Sequence, residues 1–127
     1  MKKISKFLVL STTFLVINNT FAASTYVGLD DIGYSCHVIL GSIGEHAMLS
    51  TPDRKDSIFL VKDIEQINSN VVLYKDNTRD NEQFVEKRLR VSYNGNKVFK
   101  VILQERKYFD DGGDAGLFNN VKVCLFQ

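Results

Sequence analysis

Arg88-Leu89-Arg90-Val91-Ser92-Tyr93, then Asn94-Gly95, then Asn96-Lys97-Val98-Phe99-Lys100-Val101-Ile102-Leu103 is the stretch that decides the fold class. Two runs rich in β-branched and aromatic residues flank an Asn-Gly pair, and Asn-Gly tolerates the two positive φ angles of a type I′ turn. The stretch predicts a β-hairpin.

The same signals recur on either side of it. Val121 to Phe126 reads as a final strand, and Ser57 to Val61 and Asn70 to Tyr74 as short apolar strands bounded by turn residues. Ile32 to Leu40 alternates, placing Ile32, Tyr34, Cys36, Val38 and Leu40 on one predicted core face and His37 on the other with Ser35 and Ile39. Gly41 and Gly44 mark a turn, after which Glu45 to Ser50 pairs back. Thr51 to Asp56 is a polar turn around the only proline. Asp80 to Arg90 stays open between strand and one short helix. For the helix, Asp80 and Gln83 form a capping-box variant and Glu86 and Arg90 an i,i+4 pair, but the stripe Phe84, Val85, Leu89 is thin. The sum is roughly six to eight short strands, hence an all-β fold, a small disulfide-linked β-sandwich or barrel.

Composition fits that reading. The chain has 127 residues, 44% of them hydrophobic, which supports one folded domain and argues against wholesale disorder. Met1 to Ala22 reads as a secretory signal peptide: Lys2, Lys3 and Lys6 precede the apolar stretch Phe7–Ile17, and Thr20-Phe21-Ala22 supplies the cleavage site. The 11-residue stretch is too short to span a hydrocarbon core of about 30 Å as a helix. Residues 23–127 are then the single β-rich domain, with no membrane span after signal cleavage. Removing 1–22 takes three of the 16 Lys and Arg and none of the 15 Asp and Glu, leaving 105 residues at a net charge of about −2. That balance offers no footprint for nucleic acid. The basic run Lys87-Arg88-Leu89-Arg90, preceded by Glu82 and Glu86, reads as a solvated element edge. The short positive n-region and the Lys/Asn/Ile-rich usage suit a bacterial protein sent to the periplasm or secreted.

Cys36 and Cys124 lie near the two ends of the domain, and in an oxidising compartment an isolated pair reads as a disulfide. Closing a loop of about ninety residues stabilises a fold by about 4 to 5 kcal/mol in the chain-entropy model. A Cys36 nucleophile served by His37 is disfavoured, because neighbours on a strand point to opposite faces. A zinc site from Cys36, His37 and His46 fails on the same geometry and lacks paired-ligand spacing. Neither histidine sits in a catalytic signature, and no nucleophile elbow, His-Glu-x-x-His or phosphate-binding glycine loop is present. The reading is therefore a non-enzyme without cofactor or metal.

Tyr108-Phe109-Asp110-Asp111-Gly112-Gly113-Asp114-Ala115-Gly116-Leu117-Phe118 stands out: three aspartates and three glycines bracketed by aromatics. Asp110, Asp111 and Asp114 offer hard oxygen ligands, but the loop departs from the EF-hand spacing. It reads instead as a recognition loop, its acids meeting a basic or metal-containing cleft and Leu117 and Phe118 forming an apolar anchor. The blander alternative is a long connection with no specific task. His46 with Glu45 reads as a solvated surface pair.

Signal peptide, about a hundred further residues, β-rich pattern and a Cys near each end resemble the layout of small periplasmic inhibitors, including lysozyme inhibitors, and of immunity proteins that neutralise toxins. The serine-glycine and tyrosine-bearing strand motif of the membrane-bound lysozyme inhibitors is not matched, so no functional residues carry over. The resemblance implies a protein that inserts a loop into the cleft of a toxin or cell-wall hydrolase, here with Asp110, Asp111, Asp114, Leu117 and Phe118 as contacts. A structural or accessory subunit of an envelope assembly is the alternative, and it predicts self-association or an open sheet edge.

Overall fold

The computed structural model describes residues 23–53, 57–77, 85–107 and 116–127. The signal segment 1–22, residues 80–84 and Asp110, Asp111 and Asp114 lie outside them. Nine strands follow in order: β1 (Ser24–Asp30), β2 (Ser35–Leu40), β3 (His46–Ser50), β4 (Ile58–Leu60), β5 (Asp63–Asn68), β6 (Val71–Lys75), β7 (Val85–Asn94), β8 (Lys97–Lys107) and β9 (Asn119–Leu125). All pair antiparallel in one sheet of order β4-β3-β2-β1-β9-β8-β7-β6-β5. The all-β expectation holds, and no helix occurs among the described residues. Residues 85–90 are strand, which removes the helical alternative there. Glu86 finds its cation across the hairpin, Arg106 Nε at 2.9 Å, rather than one turn away at Arg90.

The sheet is not closed by strand pairing; β4 and β5 are its two edges. They are nonetheless consecutive in the chain, joined by Val61 and Lys62. Val61 N–H donates to the Glu45 carbonyl on the β3 side (2.8 Å), while Lys62 N–H donates to the Lys75 carbonyl of β6 (2.8 Å). One edge thus runs into the other. A single buried cluster draws on β2 (Cys36, Val38, Leu40), β3 (Ala47, Leu49), β7 (Leu89, Val91) and β8 (Val98, Val101, Leu103), so the sheet curls around one core. Alternation supplies that core on β2 and β3, where every second side chain is buried; on β8 a bulge between Val98 and Lys100 resets the alternation before Val101 and Leu103.

The hairpin forms, one residue from where the sequence places it. Asn94 pairs with Lys97, so Gly95 and Asn96 are the central residues. Only Gly95 has positive φ (63°), the pattern of a type II′ rather than a type I′ turn. A second correction concerns Ile32 and Tyr34, which are 63% and 55% exposed and lie before β2. Asp30 ends β1 there: its Oδ1 accepts Ile32 N–H (3.1 Å) and Tyr34 N–H (2.8 Å), folding the chain back.

Cys36 and Cys124 form the expected disulfide, both fully buried, with Cα atoms 5.9 Å apart. The bridge ties β2 to β9 past the strand between them. β1 accommodates this at Gly28, which pairs with Cys36. A Cβ on Gly28 would overlap the Leu125 carbonyl oxygen and come within 2.8 Å of the Phe126 ring. Phe126 fills the missing side chain's place and meets Tyr26 edge-on, ring centroids 5.8 Å apart.

Candidate functional site

The sheet presents two different outer walls. In an antiparallel sheet directly paired residues project to the same side, so the register assigns them. On β1 to β4 the outer positions run Thr25, Val27 and Leu29; Ser35, His37 and Ile39; His46, Met48 and Ser50; Ile58 and Leu60. None carries a formal charge at neutral pH with histidine neutral. Val27 (62% exposed), Leu29, Ile58 and Leu60 stand in solvent. Where this wall meets β9, a hollow of about 780 Å³ is lined by Val27, Leu29, Asp31, Ser35, Leu125 and Phe126 among others.

The outer wall of β5 to β8 is charged. One row runs Asp63, Lys75, Arg88, Gln104, Asn120, and the next Glu65, Leu73, Arg90, Ile102, Val123. Lys75 Nζ lies 2.7 Å from Glu65 and 3.5 Å from Asp63, and the Glu65 hydrogen bond raises its pKa. Arg88 Nε donates to Gln104 Oε1 (2.7 Å), and Gln104 Nε2 donates to Asn120 Oδ1 (2.8 Å). Leu73 is buried on this side, outside the core cluster, between the long side chains of Glu65 and Arg90 in its row. Stems of such residues cover apolar surface while their heads stay wet.

The chain rejoins the sheet on the charged wall, at Phe118. The Phe118 ring centroid lies 3.7 Å from the guanidinium carbon of Arg88 and 4.5 Å from that of Arg106. Desolvation lowers the Arg88 pKa, and the like charges of Arg106 and Arg90 lower it further; an arginine remains cationic through such a shift. Leu117, one residue earlier, is 90% exposed. A cavity of about 430 Å³ beside it is lined by Glu105, Arg106, Lys107, Gly116, Leu117, Asn119 and Val121. The structure therefore divides the expected Leu117–Phe118 anchor: Phe118 holds the loop end to the sheet and Leu117 points away from it. Arg88 and Arg106 were missed as partners of this loop because only the β7–β8 register brings them together.

The histidines stay apart. His37 faces outward opposite Val27 and Ser50, and His46 opposite Leu60. Glu45 turns from His46 and accepts Ser42 N–H on Oε1 (2.8 Å), a local turn contact. Cys36 is sealed in the disulfide and offers no thiolate. No group of three His, Cys, Asp or Glu able to hold a metal ion occurs among the described residues, and no helix there is long and apolar enough to cross a membrane. No family model, curated protein or solved structure matches the chain.

Proposed function

We propose that the protein is an exported binding protein of the inhibitor or immunity type, which occludes the cleft of a toxin or cell-wall hydrolase without turnover. The observation that carries this reading is Leu117, 90% exposed beside a ring fixed on Arg88 and Arg106. An exposed apolar side chain gains affinity for a partner that buries it, and anchors of this kind carry much of the energy of an interface. The disulfide fits an oxidising, non-cytoplasmic compartment, and with the sequence of 1–22 supports periplasmic or secreted placement. The aspartates at 110, 111 and 114, a few residues earlier in the sequence, would add charge complementarity.

The test is capture of a partner from envelope and neighbouring-cell extracts, followed by titration of Leu117→Ala and of the triple alanine variant at Asp110, Asp111 and Asp114. Both variants should keep their thermal midpoints and lose affinity for the captured protein. Unchanged affinity in both sinks the loop assignment. A second reading, a structural or accessory subunit of an envelope assembly, draws on the uncharged outer wall of β1 to β4 and predicts growth into open, higher-order assemblies.

A further inference from the structure

We propose that Arg88 and Arg90, on the outer wall of β7, bind the phosphate group of a small soluble phosphomonoester, such as a phosphorylated sugar or polyol. The argument starts from which cations of this wall are already used. Lys75 is paired with Glu65 and Asp63, and Arg106 with Glu86. Arg88 and Arg90 form no ion pair among the described residues, although they stand two residues apart on one strand and project to the same side. Lys100, one row further on beside Ser92, lacks one as well. Two guanidiniums are thus left side by side with no counter-charge of their own.

Arg88 is also fixed in place. Its Nε donates to Gln104 Oε1 (2.7 Å), Gln104 is held in turn by Asn120 (2.8 Å), and the Phe118 ring lies 3.7 Å from the guanidinium carbon. One edge and one face of the group are therefore occupied. Its two terminal nitrogens make no hydrogen bond among the described residues, and such a pair can take two oxygens of one anion. Burial and the like charges of Arg106 and Arg90 lower the Arg88 pKa, so an anion bound here relieves a repulsion that the fold leaves standing.

Charge decides which anion fits. A carboxylate brings one negative charge, whereas a phosphomonoester brings about 1.5 to 2 and three free oxygens, enough for both arginines at once. The borders of the site limit the ligand's length. Asp63 and Glu65 close it on the β5 side, and uncharged Asn120 and Val123 on the β9 side, leaving no longer basic track for a polyanion. The same two acids face an anionic bilayer unfavourably, and a lipid phosphodiester carries a single charge. Leu117 takes no part in the site, so it stands whether or not the inhibitor reading does.

The experiment is titration of the isotope-labelled, disulfide-bonded protein with inorganic phosphate and with glycerol phosphate at constant ionic strength, followed through the arginine Nε–H signals. Both ligands should saturate in the low millimolar range and move Arg88 and Arg90 together. Arg88→Gln should weaken binding at least about tenfold, and Arg88→Lys, which keeps the charge and loses the fork, by less. Arg90→Gln removes a side chain with no hydrogen bond or ion pair to lose, so the fold is untouched, and should weaken binding at least about fivefold. Lys97→Gln, the same change of charge at the hairpin tip, should alter nothing. The proposal is overturned if neither phosphate saturates, or if Arg90→Gln and Lys97→Gln behave alike. It is also overturned if acetate binds as tightly as phosphate, which would give the pair to a carboxylate of a protein partner. Binding to phosphatidylglycerol vesicles but to neither soluble phosphate would overturn it too, giving the site to a membrane.

Discussion

The β7–β8 hairpin and the β1–β9 seam sit side by side in one sheet and are held by different means. Ten residue pairs join β7 to β8, whereas β9 meets β1 through two, Cys124 with Asp30 and Leu125 with Leu29. The long ladder carries its own cross-strand support, Arg88 with Gln104 and Glu86 with Arg106. The short one has the Cys36–Cys124 bridge beside it and the Phe126 ring beneath Gly28. The covalent link lies where the hydrogen-bonded ladder is thinnest. That teaches why a chain with ample hairpin-forming sequence still needs a disulfide: local pairing makes β7–β8, but only distant contacts bring the first strand to the last.

The largest test of that contrast is removal of the bridge. The double variant Cys36→Ser, Cys124→Ser should lose up to about 4 to 5 kcal/mol, the loop-entropy value, or more if the buried hydroxyls find no partners. Native-state hydrogen exchange should show β1 and β2 losing protection well before β7 and β8. Equal loss along the sheet would break the comparison.

Gly28→Ala probes the same seam without touching sulfur. The added methyl has no room between the Leu125 carbonyl and the Phe126 ring. Overpacking of this kind costs about 1 to 3 kcal/mol, read as a lower denaturation midpoint at unchanged m-value. Ala at Gly95 would also be strained, through φ rather than space, but should loosen only the hairpin tip.

A third test sharpens the comparison from the margin of the core. Tyr74, on β6, has its pKa pushed up to about 12, first by burial and then by Tyr93 beside it. The folded state thus holds the phenolic proton more tightly than the unfolded chain does. The resulting stability is fully present below the ordinary tyrosine value near 10 and is lost as pH rises from there through about 12. Allowing for partial contact with solvent, the loss amounts to about 1 to 2 kcal/mol. Urea midpoints measured from pH 9 upward should fall in wild type and fall less in Tyr74→Phe; parallel curves would show that this tyrosine is not the group responsible.

How far this contrast is legible in the sequence depends on which residues act locally. The hairpin is legible because β-branched runs and an Asn-Gly pair lie within sixteen residues, and the inward face of β2 because Cys36, Val38 and Leu40 alternate. β1 is not: Ser24-Thr25-Tyr26-Val27-Gly28-Leu29-Asp30 begins polar and has a glycine at its centre, which reads as a lead-in. The glycine answers to Phe126, nearly a hundred residues away. β5 hides for another reason: in Asp63-Ile64-Glu65-Gln66-Ile67-Asn68 the two isoleucines stand three residues apart, off the strand period, with an irregularity between Gln66 and Asn68. Ile32 and Tyr34 continue the alternation of β2 on paper, but the Asp30 carboxylate binds two following amides and turns the chain first. At the candidate site, the exposure of Leu117 was foreseeable from its glycine-rich setting. The docking of Phe118 was not, because Arg88 and Arg106 are brought to it by register alone.

The smallest expected effect falls on the charged wall, at Phe118. The ring faces two guanidiniums, each such contact being worth about 0.5 to 1 kcal/mol at a partly exposed position. The gain is reduced because Arg88 and Arg106 repel one another across it. Phe118→Ala should therefore destabilise by about 1 kcal/mol, a shift of roughly 4 to 8 °C for a domain of this size. Phe118→Leu separates the two contributions, keeping apolar cover over the arginines but removing the ring. If the leucine variant recovers the whole loss, Phe118 acts by packing. If it recovers little, the ring's negative face steadies two like charges, and the long hairpin also depends on a distant residue for part of its order, bringing the two regions closer in kind.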